Sequence, residues 1–319
     1  MPDNAIKVTQ RRPVGQLSVS PLCLGGNVFG WTADEPTSFD VLDTYTEAGG
    51  NFIDTADVYM AGRDGCDGGD SETVIGNWTT ARGNRDNVVI ATKVGAHPDR
   101  RGLSAANIKA AADDSLRRLR TDHIDLYYTH FDDESVEVSE IMTALDDLVR
   151  AGKVREIGAS NLSTQRLAAS LDFSAESGAT AYAALQPHYN LVSRDTFEGP
   201  LADLAEERGL AVMPYFSLAA GYLTGKYRPG QVPESARSKH ASKHLDTERG
   251  QRVLAALDQV SEAHAAAPAS IALAWLLTHP TVTAPIASAR TADQLPPLLA
   301  MSEVELTKEE VTLLTDASA

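Results

Sequence analysis

Four side chains of complementary acid–base type, Asp54, Tyr59, Lys93 and His130, fall at or just beyond the ends of short β-rich runs. Asn51-Phe52-Ile53 leads into Asp54, with Tyr59 following in the next segment. Val88-Val89-Ile90-Ala91-Thr92 ends on Lys93, and Ile124-Asp125-Leu126-Tyr127-Tyr128-Thr129 ends on His130. A free phenol, with a pKa near ~10, is a weak proton donor at neutral pH. An ammonium about 4 Å away, at an effective dielectric near 20, favours the phenolate by about 4 kcal/mol. Lys93 is therefore expected to lower the pKa of Tyr59 into a working range. Asp54 would keep Lys93 charged and aimed, and a neutral His130 would polarise and orient a substrate oxygen. Each residue alone has a plainer role: a turn-forming Asp, a packing Tyr, a surface Lys. Together they form a proton-donating site suited to the reduction of a carbonyl group.

Such a set works only if one scaffold carries the four to a common rim. The chain alternates short β-rich runs with amphipathic helices. Strands are expected near 22–25, 51–54, 88–92, 124–129, 154–158, 182–186, 211–215 and 282–286, each separated from the next by a helical segment. Ile141, Ala144, Leu145, Leu148 and Val149 lie on one helix face, with Asp146 and Asp147 opposite and Gly152 placed to stop the helix. Ser104 is placed as the N-cap of a helix over 104–120 whose buried stripe is Ile108, Ala112, Leu116 and Leu119. Continuous alternation implies a parallel sheet with right-handed crossovers, and eight repeats imply closure. The expected fold is α/β, a single (β/α)8 TIM barrel with parallel strands, one domain over 1–319. Catalytic groups in such barrels sit at the C-terminal strand ends, where Asp54, Lys93 and His130 fall. The longest irregular stretch, about 227–246, holds Arg228-Pro229-Gly230 and Pro233. A loop of that length in a compact domain is usually functional or mobile.

The rival architecture, an open dinucleotide-binding sheet, needs G-x-G-x-x-G after its first strand. Gly25-Gly26-Asn27-Val28-Phe29-Gly30 has its glycines elsewhere, and Gly221-Tyr222-Leu223-Thr224-Gly225-Lys226 lacks the spacing and the Ser/Thr of a P-loop. With 319 residues, 43% hydrophobic and 23% charged, the chain can bury a full core. Its formal net charge of −16, without a basic stripe, argues against nucleic acid and anionic membrane surfaces as partners. Two cysteines, Cys23 and Cys66, make no disulfide framework, which fits a reducing compartment. No signal-like leader and no apolar run of ~20 residues is seen, so a cytoplasmic location is expected.

Longer matches then connect these features. Gly49-Gly50-Asn51-Phe52-Ile53-Asp54-Thr55-Ala56-Asp57-Val58-Tyr59 is followed by Ala91-Thr92-Lys93. Next come Asp122-His123-Ile124-Asp125-Leu126-Tyr127-Tyr128-Thr129-His130 and Gly152-Lys153-Val154-Arg155-Glu156-Ile157-Gly158-Ala159-Ser160-Asn161. In this order, from about Arg12 to about Leu295, the chain resembles the aldo-keto reductases. The resemblance implies an Asp-Tyr-Lys-His tetrad on Asp54, Tyr59, Lys93 and His130, with hydride delivered from a nicotinamide held without a Rossmann domain. It implies that Ser160, Asn161 and Gln186 hold the carboxamide and that Tyr215 is the platform for the nicotinamide ring. Ser217, Leu218, Gly221, Leu223, Gly225 and Lys226 then belong to a pyrophosphate-covering loop, part of a longer cofactor-covering segment of about 218–246. Ser288, Arg290 and Gln294 resemble the group around the adenosine 2′-phosphate, and a guanidinium there favours NADP(H). Three departures bear on this cofactor end. The family's commoner Tyr-Ser-Pro-Leu reads Tyr215-Phe216-Ser217-Leu218, its frequent Pro-Gly is Ala287-Ser288, and a frequent adenine-contacting Asn is Leu298, behind Pro296-Pro297.

On the substrate side, Trp31 and Phe131, with Asp132, Asp133 and Tyr189, are candidates for the pocket mouth, plain packing being the alternative for Trp31 and Tyr189. Little chain follows the last amphipathic stretch (Val304, Leu306, Val311, Leu314), so an open pocket for a small carbonyl substrate is expected. His240 and His244 have a zinc-compatible i, i+4 spacing but read as solvated histidines, and no metal is expected. Two other functions compete with an NADPH-dependent reductase of aldehydes or ketones. One is an NADP(H)-binding redox-sensing or regulatory subunit. The other is a lyase or isomerase using Lys93 as a Schiff-base nucleophile.

Overall fold

The computed structural model describes residues 8–63, 66–228, 230–231, 233 and 238–319. Two short strands, β1 (Arg12–Val14) and β2 (Leu17–Val19), pair antiparallel around Gly15, whose φ of +55° favours glycine. The hairpin packs Val14, Leu17 and Val19 against Val89 at the start of a barrel strand, so it covers the N-terminal mouth of the barrel. Gln16 N–H donates to Glu156 Oε1 at 2.8 Å. Strands this short, around a single glycine, leave almost no periodic signal, and the sequence reading omitted them.

Eight parallel strands follow: β3 (Cys23–Gly25), β4 (Phe52–Asp54), β5 (Val89–Val94), β6 (Ile124–Thr129), β7 (Val154–Ser160), β8 (Ala184–Gln186), β9 (Ala211–Val212) and β10 (Ile286–Ala287). Their order, β10-β3-β4-β5-β6-β7-β8-β9, is sequential around the sheet. Closure is made by backbone bonds: Val212 N–H to Thr281 O at 3.0 Å, Thr283 N–H to Val212 O at 2.8 Å, and Ile286 N–H to Pro214 O at 2.9 Å. The (β/α)8 expectation holds. The runs near 211–215 and 282–286 are shorter ladders than expected, and each holds a proline, Pro214 and Pro285, with no N–H to donate to a ladder.

The helices are α1 (Glu35–Glu47), α2 (Asp70–Arg82), α3 (Ala105–Leu119), α4 (Val138–Arg150), α5 (Thr164–Ser177), α6 (Pro200–Glu207), α7 (Ser238–Ala241), α8 (Glu248–His264), α9 (Pro268–Leu276), α10 (Pro296–Leu299) and α11 (Lys308–Ala317). Ser104 caps α3 as expected, its side chain accepting from Asn107 N–H. Asp146 departs from its expected place on the solvent face of α4. It is buried and accepts from Thr180 N–H at 2.9 Å and Thr180 Oγ1 at 2.8 Å, so it ties α4 to the segment after α5. Within the stretch expected to be irregular, 227–246, the chain forms α7 and a 3-10 turn over Ser242–His244. Pro229 and residues 232 and 234–237 lie outside the described residues. No described helix is long and apolar enough to cross a membrane.

Period-two alternation sorts the strand side chains into two layers. Phe52, Val89, Ala91, Leu126 and Tyr128 fill the barrel interior, whereas Ile53, Ile90, Tyr127 and Ile157 pack outward against the helices. Gly158 on β7 makes room for Tyr128, whose ring a Cβ there would meet at 2.4 Å. Asp54 and Lys93 share the inward parity of Phe52, Val89 and Ala91. At the C-terminal ends of β4 and β5 that parity turns both into the top of the barrel.

Candidate active site

Lys93 is fully buried and donates three hydrogen bonds, filling its capacity. They go to Asp54 Oδ2 and Thr55 O, each at 2.7 Å, and to the Tyr59 hydroxyl oxygen at 3.1 Å. Tyr59 O–H lies 3.4 Å from the same Asp54 oxygen, while Gln186 Nε2 donates to Asp54 Oδ1 at 2.9 Å. One carboxylate thus orients an ammonium, a phenol and an amide. The His130 ring meets Tyr59 edge-on with centroids 6.3 Å apart, and its Nδ1 is buried without a hydrogen-bond partner among the described residues. All four expected catalytic side chains converge.

Burial decides the proton positions. It pushes the Tyr59 phenol up, Lys93 offsets this only in part, Asp54 adds to the rise, and the result is about 12. The expected net lowering by Lys93 is therefore overturned, since its charge offsets the effect of burial only in part. A charge count along the chain misses the cost of desolvating a phenolate. Burial would also deprotonate Lys93, but Asp54 and Tyr59 outweigh it and raise the ammonium's pKa above its ordinary value. A lysine held charged in this way is no free amine, which counts against the Schiff-base alternative. Burial, and then the Lys93 charge, bring His130 down to about 3, so its imidazole is neutral as expected.

The site opens on a cavity of about 660 Å³. Ser160, Asn161, Gln186 and Tyr215 line it as one connected network. Asn161 Nδ2 donates to His130 O at 2.9 Å and to Ser160 Oγ at 3.0 Å, while Tyr215 O–H donates to Asn161 Oδ1 at 2.8 Å. Ser160 Oγ donates to Gln186 O at 2.9 Å. Asn161 adopts φ +55°, a left-handed conformation that asparagine tolerates, at the turn leaving β7. Ser217, Leu218, Gly221 and Lys226 line the same cavity, as do Ser288, Arg290 and Gln294. Arg290 N–H donates to Gln294 Oε1 at 3.0 Å, which sets the turn after β10.

Other residues singled out in the sequence lie elsewhere. Leu223 and Gly225 are not among the lining residues. Leu223 turns into the core, and Gly225, at φ +78°, packs beside Pro268. Tyr189 is buried away from the mouth, bonded to Glu198 at 2.7 Å and packed on Phe197 and Trp275. Asp132 is held by Arg166 at 3.0 Å, and Asp133 accepts from Leu103 N–H at 2.9 Å, so both serve the loop rather than the pocket. His240 is exposed, but His244 is half-buried against the Tyr222 ring, 5.1 Å between centroids.

Trp31 and Phe131 do line the cavity. The Arg63 guanidinium lies 3.4 Å from the Trp31 ring centroid, and Phe131 stacks on His130 at 4.7 Å and 12°. Phe131 and Phe216 are the exposed large hydrophobics among the described residues, 52% and 48% accessible, and both lie at this cavity. Sequence reading passed over three contributors. Phe216 was noted only as a departure, His188 stacks on Tyr215 at 5.4 Å and 19°, and Asn27 accepts from Ser288 O–H at 2.7 Å. Nothing local marks His188 or Asn27, because each meets its partner only when strands far apart in the chain come to lie side by side.

Comparison with known proteins agrees with this geometry. Residues 21–319 match the model of the Aldo/keto reductase family. The chain is similar to norsolorinic acid reductase stcV of Emericella nidulans, 34% identical over 95% of this chain and 79% of that protein. It is also similar to the uncharacterized oxidoreductase YrpG of Bacillus subtilis, at 35% over 94% of this chain and 92% of the relative. Protein tas of Escherichia coli is 32% identical, with 94% of both chains covered.

Proposed function

The chain belongs to the aldo/keto reductase family and is an oxidoreductase, and on that premise we propose that it reduces an aldehyde or ketone to the alcohol with NADPH. The observation that carries this reading is the bonded chain Asp54–Lys93–Tyr59, which opens beside His130 on the cavity. A reduced nicotinamide bound there would supply hydride to the carbonyl carbon. Tyr59 O–H gives its proton to the carbonyl oxygen, and Lys93, already bonded to the phenol oxygen, stabilises the phenolate as it forms. A pKa of about 12 leaves the phenol protonated at neutral pH and still a stronger acid than the alcohol it makes. Neutral His130 can donate a hydrogen bond to the same oxygen and orient it without competing as an acid.

The donor set of the cavity suits NADP(H). It offers an aromatic ring at Tyr215, amides at Asn161 and Gln186, hydroxyls at Ser217 and Ser288, and cations at Lys226 and Arg290. Leu298 and Pro297 make the lining beyond Gln294 apolar, so we assign the preference for the 2′-phosphate to Arg290. Exposed aromatic rings at the mouth favour a flat aromatic carbonyl compound over a small aliphatic one.

Consumption of NADPH and of NADH against a panel of aromatic aldehydes, aliphatic aldehydes, sugars and ketones tests the reading. Turnover with NADPH preferred is the expected result. Loss of that preference in Arg290→Ala, by roughly tenfold, would support the assigned role of Arg290. No turnover by protein shown to bind NADPH would overturn the reductase and favour a redox-sensing subunit.

A further inference from the structure

A second buried acid cluster lies directly behind the catalytic one, and the reaction described above does not use it. Asp57 is two residues before Tyr59, and its backbone N–H donates to Lys93 O at 3.3 Å. Its side chain is 1% exposed, and among the described residues no side chain bonds to either carboxylate oxygen; the peptide N–H groups of Val58 and Gly95 act on it without reaching good hydrogen-bond geometry. The groups that act on it come from three surrounding elements. Glu72 reaches in from α2, Arg118 from α3, and Tyr127 from β6, with a hydroxyl that is itself buried and unpartnered among the described residues.

Glu72 is already committed. It accepts from Thr92 Oγ1 at 2.5 Å and from Arg118 Nε at 2.6 Å. Gly76 fixes this arrangement, because a Cβ there would meet Arg118 O of α3 at 2.3 Å, so the two helices can touch only at a glycine. The cluster therefore contains two carboxyl groups against one guanidinium. Burying a second carboxylate that no cation pairs is costly, and a proton removes that cost.

We propose that Asp57 is a positioning residue that works as a neutral acid, and that its ionisation displaces the segment carrying Tyr59 relative to Lys93. The segment is short and tied at both ends. Thr55 N–H donates to Ala91 O at 2.8 Å and Thr55 O accepts from Lys93 Nζ, while at the other end Gly69 N–H donates to Tyr59 O at 3.1 Å. A charged Asp57, repelled by Glu72, can gain solvation only by moving outward, and Tyr59 moves with it. Burial first, and then Glu72, push the Asp57 carboxyl up to about 7, while Arg118 and the peptide N–H groups of Val58 and Gly95 hold it down in part. The folded protein then binds a proton that the unfolded chain has already lost. The associated stability is full below the ordinary carboxylate range and is lost as pH rises to about 7.

Two measurements test this. Only the kinetic one rests on the reductase reading. Thermal unfolding followed from about pH 5 to pH 8 should show a Tm that falls with pH in the wild type and a shallower fall in Asp57→Asn. With saturating NADPH, kcat for reduction should fall up to tenfold per pH unit above about 7, and Asp57→Asn should lose that limb. Glu72→Gln keeps an acceptor for Thr92 but removes the like charge, so the limb and the Tm midpoint should both move to lower pH. Equal Tm slopes in wild type and Asp57→Asn, or a kcat limb that persists in that variant, would overturn the proposal. If Asp57→Asn does not fold, Glu72→Gln decides: a downward shift supports the proposal and an unmoved midpoint overturns it. Absence of turnover on every carbonyl compound would sink the reductase reading, and the Tm comparison would still decide the role of Asp57.

Discussion

Thr92 and Lys93 are neighbours on β5, and strand alternation sends them into two different acid clusters. Inside the barrel, Lys93 meets Asp54 and Tyr59, and the ammonium is matched by three acceptors. Outside, Thr92 and Arg118 satisfy Glu72, but Asp57 is left without a side-chain hydrogen-bond partner among the described residues. Both clusters are buried to a similar degree. The inner one is balanced in charge and keeps a transferable proton on a phenol, whereas the outer one reaches balance only by keeping a proton on a carboxyl. Burial alone does not make a group reactive. What distinguishes the clusters is whether the proton-bearing atom reaches the cavity, which Tyr59 does and Asp57 does not.

Breaking the inner cluster should have the largest effects. Tyr59→Phe removes the acid and keeps the ring, so kcat for reduction should fall by roughly 10²–10⁴-fold while NADPH affinity, measured by fluorescence titration, stays near the wild-type value. Retained turnover would sink the assigned role. Lys93→Met leaves Asp54 buried against an apolar chain and should cost about 3–5 kcal/mol in denaturant unfolding, besides activity. The pH profile sharpens the contrast between the clusters. His130, at about 3, should contribute no limb between pH 5 and 7, so a protonation limb near its ordinary value would contradict the neutral, buried imidazole. The smallest effect belongs to the mouth. Phe131→Ala should weaken the preference for aromatic over aliphatic aldehydes by about 0.5–1.5 kcal/mol in kcat/KM, leaving the aliphatic values nearly unchanged.

Much of the scaffold was legible along the chain. The eight barrel strands, the Ser104 cap and the turn at Gly152 follow from local patterning, and so does the arrival of Asp54, Lys93 and His130 at strand ends. Matched segments added Ser160, Asn161, Gln186 and Tyr215, which the fold joins into one network. The N-terminal hairpin escaped because three-residue strands carry no period. Tyr189 stayed open between pocket and packing because an aromatic residue near a strand end looks the same whether it faces a pocket or packs on Trp275. Asp57 gave no signal at all. In the sequence it is one more polar residue in the segment after a strand, and only α2 and α3 packing over it make it a buried acid.

The chain by itself determined which side chains meet at the top of the barrel, since residue type, strand period and element order are local properties that survive folding unchanged. It could not determine where the protons sit. The sign of the Tyr59 shift and the neutral state of His130 depend on how much water each group loses, and the charge on Lys93 on the partners that outweigh that loss. That loss is summed over neighbours from segments far apart in the chain, and so only the closed barrel decides it.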